Sequence, residues 1–146
     1  MVALSLLVVD ASVAMKLIVD EDGKEEALAR TRDETRLVAP DWLLVEAGNA
    51  LWRKCASGVF DREVAEDLHA MLPRFFDEFR PSAPLAPTAL ALSFDLKHWI
   101  YDCIYLATAI DLDAPLLTAD RKFWNAAKRG GFGDVVELLT WEDRPK

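Results

Sequence analysis

Several common readings are closed off by what this chain has little of. It has two cysteines, Cys55 and Cys103. Two thiols at that separation fit neither a zinc motif nor a disulfide framework, and both read as small reduced core residues. It has no stretch of about 18 uncharged apolar residues, the length that crosses a bilayer. Its first nine residues carry no basic side chain before Asp10 interrupts the apolar run, unlike a secretory signal. A cytoplasmic protein without a membrane partner is expected. No repeat, low-complexity tract or linker divides the chain. Basic residues are also short: 17 Lys and Arg against 25 Asp and Glu leave a net charge of −8. That balance is awkward for a nucleic-acid binder, whose affinity usually comes from Lys and Arg on phosphates. It is natural where acids gather around metal ions, or where a basic partner covers the surface.

What is present is core-forming material. The hydrophobic fraction is 52% of 146 residues, enough for one domain, 1–146, around one core. Leu6-Leu7-Val8-Val9 reads as a strand buried on both faces of a parallel sheet. Asp10 and Ser12 follow it, where open α/β folds place their ligands. Helical composition covers 11–19, Gly23 breaks the chain, and 24–33 reads as a second helix. A short strand is expected at 37–39, then Asp41 as the N-cap of a helix over 42–57. Asp61 is placed to cap the next helix, which runs to Met71. The segment 80–87, with three prolines, reads as a short strand or extended connection, followed by a helix over 88–97. A stronger helix spans 100–112, with Ile104, Leu106, Ala107, Ala109 and Ile110 as its buried side. Residues 116–118 form a strand, 121–129 a helix stopped by Gly130-Gly131, and 135–139 a last strand. Strands alternating with helices predict an α/β/α sandwich around a short, mainly parallel sheet.

Four acids fall at telling places. Asp10 follows a strand directly, and Asp120 follows another after one residue. Asp102 opens a helix, and Glu46 sits in the second turn of one, three residues from Asn49. Strand ends and helix starts share one edge of a parallel sheet, so the four carboxylates are expected to converge. Two carboxylates about 5 Å apart repel by roughly 3 kcal/mol at an effective dielectric of about 20. Protonation or a divalent cation relieves that repulsion. An all-oxygen donor set suits Mg²⁺ or Mn²⁺ rather than zinc. His98 reads as a surface or packing residue. Core and dimer packing accounts for most of the five tryptophans better than base stacking.

At these residues the chain resembles a known family. Val8-Val9-Asp10-Ala11-Ser12, Glu46 with Asn49, Tyr101-Asp102-Cys103-Ile104-Tyr105-Leu106-Ala107, and Leu117-Thr118-Ala119-Asp120 are similar to the motifs of PIN-domain ribonucleases. Length and span fit the VapC toxins of toxin–antitoxin pairs. The resemblance implies a PIN-like fold and RNA phosphodiester hydrolysis with one or two Mg²⁺ or Mn²⁺ ions. It implies Asp10, Asp102 and Asp120 as metal ligands, with Glu46 positioning metal or the attacking water. Ser12, Asn49 and Thr118 are implied as supporting polar residues. It further implies a VapB-like antitoxin with a basic tail, and a homodimer. One departure is visible: Lys97-His98-Trp99 stands where such proteins often carry a glycine before Tyr101-Asp102. The alternatives are another α/β phosphoryl-transfer protein, phosphatase or receiver-like, and a non-catalytic PIN-fold binding module. Ser12 occupies the place of a phosphatase's second aspartate.

Overall fold

The computed structural model describes residues 5–32 and 35–145. Five strands form one parallel sheet in the order β3-β2-β1-β4-β5, where β1 is Ser5–Val9, β2 Thr35–Pro40, β3 Glu78–Arg80, β4 Leu116–Thr118 and β5 Val136–Leu138. The central strand is β1, with Val8 opposite both Val38 and Leu116. Its aliphatic run follows from this position: Leu7, Val8 and Val9 are at most 1% exposed, because helices cover both faces of such a strand.

The helices are α1 (Ala11–Ile18), α2 (Lys24–Arg30), α3 (Trp42–Ala56), α4 (Arg62–Met71), α5 (Ala86–Leu96), α6 (Ile100–Leu112) and α7 (Arg121–Arg129). Helix α6 is buried continuously from Cys103 to Ala109 and packs on β1, β2, β4 and α5. A helix apolar on nearly every side belongs inside a core. Asp61 caps α4 through the Val64 amide at 3.0 Å, as its sequence position suggests. The α/β class expected from the alternating pattern is the one formed.

Several local expectations are corrected. Asp41 stands at the start of α3 but does not cap it. Its Oδ1 accepts from the Ser82 amide and hydroxyl instead, and Ser82 Oγ accepts from the Trp42 amide. The capping hydroxyl thus comes from 40 residues away. The segment 80–87, expected as a short strand or extended connection, is strand only at Arg80: β3 pairs with β2 over Glu78–Arg80 and stops where Pro81 begins the proline-rich stretch. Helix α5 then starts at Ala86, with Pro87 in its first turn, a position where the missing N–H does no harm. Ile110 is 42% exposed rather than buried, and Cys55 is only half-buried. The second helix ends at Arg30; the far end of the predicted span lies outside the described residues.

Lys97 ends α5 with φ +52°, a left-handed conformation that glycine adopts without strain. This is where the sequence departs from the family pattern, and the backbone keeps the shape the missing glycine would favour.

Candidate active site

The chain runs from β1 to β2 on one side and reaches β4 on the other, so strand order reverses beside β1. Open α/β sheets form a crevice there, beyond the carboxyl ends of the strands. Asp10 and Asp120 stand at that edge, each at the start of a helix.

Asp10 has extended backbone and caps α1, accepting from the Val13 amide at 3.2 Å. Ser12 Oγ donates to its Oδ1 at 2.6 Å, and Thr118 Oγ1 donates to its Oδ2 at 2.5 Å. Ser12 Oγ accepts from the Ala119 amide at 2.8 Å, and Thr118 Oγ1 accepts from the Asp120 amide at 3.1 Å. Two hydroxyls therefore tie the end of β1 to the end of β4. Asp10 is 2% exposed. Burial pushes its carboxyl up to about 7, against the pull of Ser12, Thr118 and Val13, and the Asp102 charge pushes the same way as burial.

Glu46 comes from the second turn of α3. Tyr105 of α6 donates its hydroxyl to Glu46 Oε2 at 2.8 Å. Burial pushes Glu46 up to about 6; Tyr105 opposes this and Asp102 adds to it. The Trp42 N–H is buried with no hydrogen-bond partner among the described residues. Asp102 lies in the first turn of α6, where the helix dipole favours an anion. Burial raises its pKa, His98 lowers it, and Asp120 raises it. Asp120 caps α7, its Oδ1 accepting from the Lys122 and Phe123 amides at 2.9 and 3.2 Å.

Asp10, Ser12, Glu46, Asn49, Asp102 and Asp120 line one cavity of about 210 Å³. It shares Glu46, Asn49, Arg53, Asp102 and Asp120 with a wider cleft of about 760 Å³, whose walls add Trp42, Trp99 and Tyr101. The acids from four separate elements thus reach one space. Asn49 lines it without a side-chain hydrogen bond among the described residues, whereas Ser12 and Thr118 hold Asp10 directly.

The acids share the cavity without meeting at a point. Among the described residues, no three His, Cys, Asp or Glu side chains form a ready-made metal cage. Each carboxylate is held by its own anchor: Asp10 by two hydroxyls, Glu46 by Tyr105, Asp102 by His98, Asp120 by the start of α7. Asp102 Oδ1 and Asp120 Oδ2 remain without hydrogen bonds among the described residues. No Lys or Arg there forms an ion pair with any of the four. The set is all oxygen, mutually repelling and short of counter-charge, which is the chemistry a hard divalent cation fits.

The residue that sequence reasoning missed is His98. It is 9% exposed, not a surface residue, and its Nε2 lies 2.5 Å from Asp102 Oδ2. Its ring also packs on Phe123 of α7 at 5.2 Å between centroids. The available signal was the four-residue step from His98 to Asp102, which puts both on one helical face although Trp99 stands at the helix start.

Carboxylates gathered at a strand-order reversal define an α/β protein with an acid-lined site. The PIN domain family model matches residues 7–129, and the chain belongs to that family. It is 30% identical to ribonuclease VapC3 of Pyrobaculum aerophilum, over 80% of this chain and 90% of that one. It is 31% identical to ribonuclease VapC1 of Mycobacterium tuberculosis, over 79% and 86% respectively. Among solved structures, Pyrobaculum aerophilum PAE2754 superimposes with a TM-score of 0.65 at 23% identity, covering 84% of each chain. That last likeness speaks to the fold. The VapC-type resemblance read from the four motifs is borne out by the family model and these relatives.

Proposed function

We propose that this chain is a divalent-metal-dependent endoribonuclease and the toxin of a type II toxin–antitoxin pair. The observation that carries the reading is the convergence of Asp10, Glu46, Asp102 and Asp120 on one cavity from four elements. The relatives named as VapC ribonucleases support it. Asp10, Asp102 and Asp120 would hold Mg²⁺ or Mn²⁺, directly or through water. When bound, the ion activates water and steadies the charge of the phosphoryl transition state. The chain's own residues do the rest. Ser12 and Thr118 fix Asp10, and His98 fixes Asp102. Glu46, pushed up to about 6 by its burial, is placed to orient the attacking water or take its proton. Among the described residues no helix is long and apolar enough to cross a membrane, and a cytoplasmic, single-domain protein remains our reading.

The partners follow from the same reading. RNA is the substrate. A VapB-like antitoxin with a basic tail would complement the net charge of −8. A homodimer has support in Leu90 and Phe94, one helical turn apart on α5 and 49% and 74% exposed. The phosphatase alternative is disfavoured, because it would want a second aspartate two residues after Asp10, and Ser12 stands there with its hydroxyl donating to Asp10.

Purified protein should cleave RNA with Mg²⁺ or Mn²⁺, stop on chelation and resume when metal is restored. Asp102→Asn should lose at least about 100-fold in rate, since it removes one of the charges that would hold the metal. Cleavage that persists in chelator, or in Asp102→Asn, overturns the assignment.

A further inference from the structure

The wall of the wide cleft is aromatic at its mouth, and nothing in the reaction proposed above uses those rings. Trp99 and Tyr101 flank the turn that delivers Asp102, and they are 59% and 56% exposed. Large rings at such exposure, beside three carboxylates, call for an occupant. Packing explains the other ring on that side: Trp42 lies against the core and stacks on Tyr101, centroids 5.6 Å apart and planes within 12°. The stack covers one face of Tyr101 and leaves the other open. Trp99 is steadied by the His98 ring at 5.7 Å, edge to face, and His98 is itself fixed by Asp102. The rings are thus held by the residues that hold the acid.

Cations stand beside them. Lys122 Nζ lies 5.0 Å from the Trp99 centroid. Arg53 lines the cleft on the α3 side and forms no ion pair among the described residues, whereas its neighbour Lys54 is engaged by Glu21 at 3.2 Å. The mouth therefore offers flat π faces, positive charge and, deeper, an acid cluster for a cation. An apolar protein surface seated here would cover carboxylates without pairing them, at a desolvation penalty. An unpaired nucleotide has the matching parts: a base for the rings, a phosphate for Arg53 and Lys122, and a phosphodiester for the metal below. A duplex keeps its bases stacked inside and offers the rings nothing.

We propose that Trp99 and Tyr101 form a base-stacking subsite at the mouth of the acid cleft, seating one base of the substrate strand. This rests on the ribonuclease reading, and deepens it: the base beside the scissile phosphate lies against the rings while the phosphate reaches the carboxylates.

The test measures binding apart from cleavage. A fluorescein-labelled single-stranded RNA decamer is titrated with the full chain in chelator, by anisotropy, alongside the same decamer as a duplex and versions with one abasic position. Trp99→Ala should weaken single-strand binding by about 5- to 100-fold, the range of one base–aromatic contact. Trp99→Phe should recover most of that loss, and duplex binding should change little. One abasic position should weaken the parent protein and leave Trp99→Ala almost indifferent. Equal binding by parent and Trp99→Ala overturns the subsite, while metal-dependent cleavage by both would leave the nuclease assignment standing. Ring-dependent binding without any cleavage supports the subsite and sinks the nuclease assignment. A fall in sedimenting mass in Trp99→Ala makes the ring a subunit contact and overturns the proposal.

Discussion

The buried aspartate at the end of β1 should make the metal-free protein less stable as pH rises. Asp10 holds its proton up to about 7 in the folded chain, against an ordinary value of 3.8. Between those values the native state binds more protons than the unfolded one, so stability falls with increasing pH. The contribution is fully present below the unfolded value and gone above the folded one. About three pH units at about 1.4 kcal/mol each give about 4 kcal/mol lost across that window. Glu46, raised from 4.5 to about 6, acts in the same direction and adds up to about 2 kcal/mol. The two are linked through Asp102, so their effects do not simply sum. Asp10→Asn removes the charge and keeps the cap to Val13. Its amide suits the Thr118 hydroxyl less well, so roughly half of the gain should survive. In chelator near pH 8 the variant should be about 2 kcal/mol more stable than the parent, and near pH 4 about 2 kcal/mol less stable than it. Mn²⁺ at 100 times its dissociation constant should restore about 2.7 kcal/mol to the parent and far less to the variant. Urea denaturation followed by tryptophan fluorescence, at several pH values with and without metal, reads all of these. A parent whose stability is flat from pH 4 to about 8, or an Asp10→Asn protein weaker than the parent at the alkaline end, refutes the reasoning.

Other outcomes separate the roles of neighbouring residues. Asp120→Asn keeps a side chain that can cap α7, so it should lose cleavage with little change in stability, whereas Asp120→Ala should lose cleavage and about 1 kcal/mol as well; thermal melts and RNA cleavage together distinguish them. Tyr105→Phe leaves Glu46 Oε2 without its 2.8 Å donor, so stability should fall by about 1–3 kcal/mol and the acid limb of the cleavage rate should move to higher pH. Lys97→Gly, at φ +52°, should stabilise the fold by about 0.5–1 kcal/mol in denaturant titration and leave metal-dependent cleavage intact, because it relieves left-handed strain at an exposed position.

The framework of this fold was legible because its central pieces obey simple periodicities. An aliphatic run such as Leu7-Val8-Val9 has one good environment, and the acid after it marks the sheet edge. The apolar wrap of α6 is equally plain. What was not legible depended on partners distant in the chain. Asp41 has the composition of a cap, yet Ser82 supplies the hydroxyl that α3 uses. The strand Glu78–Arg80 carries little β signal and exists because β2 offers it an edge. His98 looked incidental because its partner follows a break in local structure, and its burial comes from α7, which packs Phe123 against it. Convergence of the four acids on a single cavity followed from topology. Their separate anchoring did not, since hydroxyl donors such as Thr118 and Tyr105 reach the acids from other elements.

The placement of β1 between β2 and β4 has a consequence for how a cell makes this protein. Of these five strands β1 is made first, yet it waits for its second neighbour until β4, which begins at Leu116. Thr118, which grips the far oxygen of Asp10, and Asp120 arrive with that late strand. While the more than 100 residues between them are being made, Asp10 lacks that grip, and the cleft is complete only once β4 and the turn after it have been synthesised.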